Sequence, residues 1–351
     1  MGRWILGFLA LMAVSGVVVG APLTVVGFNV ESGDASDHVI SLQLEKSVGV
    51  DLWGLVDVWN ESGWPERLQK GAAAGEGVAF GTVLGQTGGD SRLQVLYRED
   101  RLDSLGTDEI MPAQVSEREP APLAVRFRLD GGEDFWFLVV DLSDTGRRRL
   151  VQARALADWA GRQSLPIVAA GTFRFGVEPG RDEDPAMELL LASGWRWAKP
   201  AQSIGTSCAD DDRVEDFVFL AGSGTSWGDR SEVMYPQSNY CPDDGRTSNH
   251  RPVLVNLEPA GGIPAITGSM PERQVRPFFP EEMESSAEAE PALANRPVTA
   301  GVSGAADPRS SQVAPAAPAG AAVTRDALLR RLEALEAEAA RLRREIEASK
   351  D

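Results

Sequence analysis

Six short runs rich in Val, Ile, Leu and Phe recur along this chain, at residues 23–30, 125–129, 135–142, 166–170, 216–220 and 252–257, each bounded by Gly, Pro or polar residues. Runs of that length and composition suit buried strands. Between them lie segments with helical spacing. Residues 38–48 place Val39, Leu42 and Val48 among polar neighbours. Residues 149–162 set Leu150, Ala153, Ala157 and Ala160 on one face with Leu156 and Trp159 beside it. Residues 187–192 form a shorter candidate. Strands that alternate with helices predict an α/β protein, in which helices cover the sheet.

The 351 residues leave room for two domains, but the composition changes once, near residue 259. Residues 22–258 are long enough for a substantial core. Residues 259–322 are dense in Pro, Ala, Gly and Ser and bury too little apolar surface to offset their ordering entropy, so they read as a disordered linker. Residues 1–21 read as a signal peptide. Arg3 precedes an apolar run from Trp4 to Gly20, and Gly20 and Ala21 offer a cleavage point, with an uncleaved anchor as the alternative. The expected location is therefore secreted or periplasmic. In residues 323–351, Leu328, Leu332, Leu335, Ala339, Leu342 and Ile346 follow an a/d heptad seam. About three heptads form at most a short coiled coil, which implies weak self-association or a partner helix through residues 324–348.

Two cysteines, Cys208 and Cys241, suit one disulfide in an exported chain, with two buried thiols as the alternative. The net charge is −18, and residues 22–258 hold about 22 Lys and Arg against about 38 Asp and Glu. A domain that binds extended nucleic acid needs a basic face to neutralise phosphate, and this balance disfavours it. Arg147, Arg148, Arg149 and Arg154 cluster at a helix start, where a solvated face is the simpler reading. Asp210, Asp211 and Asp212 lack the glycine and spacing of a calcium loop. Trp195 and Trp197 share a face that could sit exposed.

The chemistry-bearing residues sit at strand ends. Gly171-Thr172-Phe173-Arg174 follows one apolar run, and Ser248-Asn249-His250-Arg251-Pro252-Val253 opens the last. Both resemble signatures of the endonuclease/exonuclease/phosphatase superfamily, the metal-dependent phosphoesterases related to DNase I. That family writes Gly-Asp-Phe-Asn and Ser-Asp-His-Arg-Pro-Val at these places. The resemblance implies two packed mixed β-sheets with outer helices, a four-layer DNase I-like sandwich, over residues 22–258. It also implies a Mg²⁺ or Mn²⁺ cofactor, with Asn29, Glu31 and Asp57 as the candidate ligands. Asn29 and Glu31 share one face of a strand at i, i+2, while Asp57 stands where the family places a Glu. Asp216 matches the Asp that orients the final histidine, so His250, Asp216 and Asn249 are the catalytic candidates.

Besides Asp57 and Asn249, three family positions are substituted. Thr172 replaces the water-activating Asp, Arg174 replaces a phosphate-side Asn, and Asp141 replaces a histidine of the phosphate clamp. Asn249 replaces the Asp beside His250 and supplies no charge to raise the imidazole pKa. Two readings follow. One is an exported, catalytically impaired domain that acts as a binding or assembly module, able to hold a phosphate-containing ligand. The other is a working Mg²⁺-dependent phosphodiester hydrolase with a modified site.

Overall fold

The computed structural model describes residues 22–60, 63–130, 132, 134–177, 184–208, 213–240 and 246–259. The expected signal peptide, the linker beyond residue 259, the heptad helix, the 210–212 acidic triplet and Cys241 lie outside the described residues.

The elements run β1 (Leu23–Asn29), α1 (Asp37–Lys46), β2 (Leu52–Trp59), α2 (Trp64–Glu76), β3 (Phe80–Leu84), β4 (Ser91–Arg98), β5 (Leu102–Glu109), β6 (Leu123–Leu129), β7 (Asp134–Asp141), α3 (Gly146–Ala160), β8 (Ile167–Val177), α4 (Pro185–Ala192), β9 (Arg196–Trp197), β10 (Val214–Ala221), β11 (Gly228–Val233) and β12 (Val253–Glu258). They build two six-stranded sheets, ordered β11-β12-β1-β2-β4-β3 and β5-β6-β7-β8-β10-β9. Each sheet has one parallel pair, β1 with β2 and β7 with β8, and the other pairings are antiparallel. Each parallel pair is closed by a helical crossover, α1 or α3, as parallel pairing requires.

The strand period of two divides the apolar side chains between layers. Val25, Leu52, Val95, Phe127, Phe137, Val168, Val218 and Val255 meet between the sheets. The alternate positions Val26, Phe28, Trp53 and Leu55 pack outward with Ile40 and Leu44 of α1 and Leu68 of α2. On the second sheet, Leu138, Val140, Ala169, Phe217 and Phe219 pack with Leu156 of α3 and Leu190 of α4. The result is helices, sheet, sheet, helices, the four-layer sandwich expected. Strands buried on both faces read as continuous apolar runs, which is why β1, β6, β7, β8, β10 and β12 stand out in the sequence.

Several elements depart from the sequence reading. The polar strands β5 and β11 lie at sheet edges, where one side lacks a pairing neighbour and little apolar character is needed. Helix α2 carries Gly71 and Gly75 in its interior, unfavourable for a helix by propensity. A Cβ at these positions would lie 2.4 Å from the Ser41 carbonyl oxygen and 2.2 Å from that of Glu45, so the two glycines let α2 press against α1. Strand β8 does not end with its apolar run but continues through Thr172 and Arg174 to Val177. Arg149 is not on a solvated face: its Nη2 lies 2.9 Å from Asp184 Oδ2 with both side chains largely covered. Trp195 is buried against Phe219.

Candidate functional site

The C-terminal ends of both parallel pairs meet at one end of the sandwich, the place where open α/β sheets present ligand-binding side chains. Register sets this directly: Asn29 lies beside Val56, Asp141 beside Thr172, and Thr172 beside Asp216. The sheets approach closely behind these residues. A Cβ on Gly27 would lie 3.1 Å from the Gly171 nitrogen. Gly171 itself has φ 139°, and a Cβ there would sit 2.1 Å from the Val140 carbonyl oxygen, so only glycine fits.

A buried hydrogen-bonded chain crosses between the sheets. Asn29 Nδ2 donates to Thr172 Oγ1 at 3.2 Å, Thr172 Oγ1 donates to Asp216 Oδ1 at 2.7 Å, and Asp216 Oδ2 lies 2.7 Å from His250 Nδ1. The four residues are 4%, 0%, 3% and 7% exposed. Burial pushes the His250 imidazole towards its neutral form, but the charge and hydrogen bond of Asp216 outweigh it and hold the pKa above its ordinary value. The Asp216 carboxylate thus supplies the charge that Asn249 lacks. The Asn249 side-chain oxygen is buried without a protein hydrogen-bond partner, while its backbone N–H donates to Glu31 Oε2 at 2.7 Å.

Around this chain stand the acidic candidates. Asp57 Oδ1 accepts a 2.5 Å hydrogen bond from Ser91 Oγ. Arg174 donates from Nε and Nη2 to Asp141 Oδ1, at 3.2 and 3.1 Å. Burial raises the Asp141 pKa, Arg174 opposes the rise, and the nearby Asp57 adds to it. Glu31, Asp57 and Arg174 adopt φ of 48°, 57° and 53°, a left-handed conformation that non-glycine residues seldom hold. Three such residues on or just beyond the strands β1, β2 and β8 mark a backbone shaped for a site.

The three candidate metal ligands are already engaged: Glu31 with the Asn249 N–H, Asp57 with Ser91, and Asn29 with Thr172 and, through its oxygen, the Glu31 N–H at 3.1 Å. A permanently charged guanidinium stands on Asp141 beside them, and among the described residues no group of three or more His, Cys, Asp or Glu side chains is placed to hold an ion. This donor set does not fit a divalent metal.

Four further residues shape the site. Ser248 Oγ donates to the Asn29 carbonyl at 2.7 Å and accepts from the His250 N–H at 3.0 Å. Thr206 Oγ1 accepts from the backbone N–H groups of Glu215 and Asp216, each at 2.9 Å. Tyr240 donates to the His250 carbonyl, and Ser91 holds Asp57. Ser248 lies inside a recognisable motif, whereas Thr206 and Ser91 carry no local signal. The Cys208 N–H donates to the Asn249 carbonyl at 2.7 Å, which ties the cysteine segment to the His250 loop. His38 is exposed in the first turn of α1, outside this constellation.

No protein-family model matches the chain, and no curated protein does. Solved structures do match. A humanised D. rerio TDP2 with 14 mutations superposes with a TM-score of 0.53 at 15% identity, covering 67% of this chain and 98% of that one. An endonuclease/exonuclease/phosphatase from Bacteroides vulgatus gives 0.51 at 16% identity over 68% and 99%. An endonuclease/exonuclease/phosphatase family protein from Leptotrichia buccalis C-1013-b gives 0.52 at 13% identity over 67% and 99%. The fold is therefore the DNase I-like sandwich of these proteins. At such identity the likeness establishes architecture, and chemistry has to be argued from the residues.

Proposed function

We propose that this is an exported, catalytically impaired phosphoesterase-type domain that works as a binding or assembly module. The observation that carries the reading is the committed proton of the Thr172 hydroxyl. That proton goes to Asp216, and the oxygen accepts the Asn29 amide, so the hydroxyl bridges the sheets. An alcohol flanked this way takes no proton from water at neutral pH. The adjacent Arg174 is always protonated and serves no better as a base. The Asp141 carboxylate is held by that guanidinium. General-base catalysis needs a proton acceptor of suitable pKa within reach of the nucleophile, and these substitutions remove it.

The pair of Asp216 and His250 supports a second reading, a phosphodiester hydrolase with a modified site. An imidazole held 2.7 Å from a buried carboxylate, which raises its pKa above the ordinary value, is suited to stabilise negative charge on a phosphate. The same pair suits a module that binds a phosphate-containing ligand without cleaving it. Association through residues 324–348 would supply the assembly function, and light scattering of the chain with and without that segment tests it.

The deciding experiment incubates the purified chain with DNA, RNA and a chromogenic phosphodiester, in MgCl₂, MnCl₂ or EDTA. The expected result is no turnover above that of His250→Ala. Turnover that disappears in His250→Ala establishes the hydrolase reading instead.

A further inference from the structure

We infer that Arg174 is a resident cation: its guanidinium neutralises Asp141 at this end of the sandwich, so the folded domain has no use for a divalent ion. This goes beyond loss of a catalytic base, because a site can lose its base and still bind metal.

The argument starts from charge. Glu31, Asp57 and Asp141 come from the ends of β1, β2 and β7, with Asp216 behind them on β10. The nearby Asp57 makes the ionised form of Asp141 less favourable. Acids so placed need a positive partner. Arg174 supplies it from β8, with two nitrogens on one oxygen of Asp141. The Arg174 side chain is 31% exposed and that of Asp141 14%, so the pair sits at the mouth of the site and not deep in the core.

The backbone supports the same assignment. Arg174 holds a left-handed φ of 53°, which a long side chain adopts only when its surroundings impose it. The conformation is kept on β8 beside Gly171, where the chain already requires glycine. From this position the Arg174 side chain reaches Asp141. A divalent ion at the same acids would meet a fixed positive charge that no change in metal concentration removes. An anion-binding pocket fits less well, because the carboxylates around Arg174 outnumber the cations.

One consequence is specific. Removing the guanidinium leaves Asp141 uncompensated and creates a demand for a cation that the natural chain lacks. Thermal unfolding of the full chain is followed in EDTA and then in increasing MgCl₂ or MnCl₂, at matched ionic strength. The wild-type midpoint is expected to stay constant. Arg174→Asn is expected to unfold at lower temperature in EDTA and to recover saturably with MnCl₂. The double variant Asp141→Asn/Arg174→Asn, which lacks both charges, is expected to fold and to ignore the metal. It also carries the test if the single variant does not fold. A saturable rise of the wild-type midpoint with MnCl₂ overturns the inference. So does an Arg174→Asn protein that is destabilised but blind to metal, or a double variant as unstable as the single one. The outcomes separate from those of the proposed function. Metal binding without turnover defeats the resident cation alone, and turnover in EDTA defeats the impaired-enzyme reading alone.

Discussion

Replacing Thr172 by valine tests whether the hydroxyl is structural. The two side chains have nearly the same shape, so the change opens no cavity at this fully buried position. It deletes the 2.7 Å bond to Asp216 and the 3.2 Å bond from Asn29. The first involves a carboxylate and is worth about 1.5–3 kcal/mol, and the second is neutral and worth about 0.5–1.5 kcal/mol. The methyl gained in place of the hydroxyl returns about 0.8 kcal/mol. The net loss is about 2.5 kcal/mol, which for a domain of this size lowers the melting midpoint by roughly 5–10 °C. Thr172→Ser keeps both bonds and loses only a methyl group, so it falls by about 1 kcal/mol. Urea denaturation of the three proteins measures the series. A valine variant within 1 kcal/mol of wild type, or a serine variant as damaged as valine, refutes the bridging role and with it the claim that the hydroxyl is spoken for.

Three further outcomes are expected. The His250 pKa is raised in the folded state, so its contribution is fully present below the unfolded value of about 6.5 and is lost as pH climbs through the folded value. Stability of wild type should decline across that window, and His250→Gln should remove that part of the slope in a pH series of denaturation midpoints. Gly75→Ala should destabilise by about 2 kcal/mol, because its Cβ would meet the Glu45 carbonyl at 2.2 Å, whereas Gly→Ala in an exposed helix stabilises by about 1 kcal/mol. Non-reducing peptide mapping should find Cys208 joined to Cys241, and reduction should cost about 4 kcal/mol for a loop of that length.

What could be read from the sequence follows how much each element depends on distant partners. Strands β1, β6, β7, β8, β10 and β12 are buried on both faces, and that requirement writes apolar runs that any local reading finds. Strands β5 and β11 are edges and leave no apolar run, while helix α2 buries Trp64, Leu68 and Ala72 at helical spacing but carries two interior glycines that weaken its signal. The site divides in the same way. Asn29, Thr172, Arg174, Asp216 and His250 lie in motifs at strand ends. Thr206 and Ser91 act only because the fold brings them to the Asp216 backbone and the Asp57 carboxylate. The pairing of Arg174 with Asp141 leaves no local mark, because it depends on the register that sets β7 beside β8.

The motifs stay recognisable although several of their residues differ from those the family writes, and Asp57 offers a way to weigh how far the backbone itself demands them. Its φ is 57° within β2, where the pairing with β4 shifts register between Leu55 and Val58. Asp57→Ala and Asp57→Gly lose the same hydrogen bond to Ser91, so the difference between them isolates the backbone. Alanine at a left-handed position costs about 1–2 kcal/mol. Glycine avoids that penalty but loses about 0.5–1 kcal/mol more conformational entropy on folding. The glycine variant should therefore be the more stable by about 0.5–1 kcal/mol. The order should reverse at Asp103, an exposed residue of strand β5 outside the left-handed set, where only the entropy term remains. Chemical denaturation of the four proteins gives both differences. If alanine is the better residue at both positions, the strand end is not held in this conformation by its surroundings. The survival of the motif would then need a reason other than the shape of the chain.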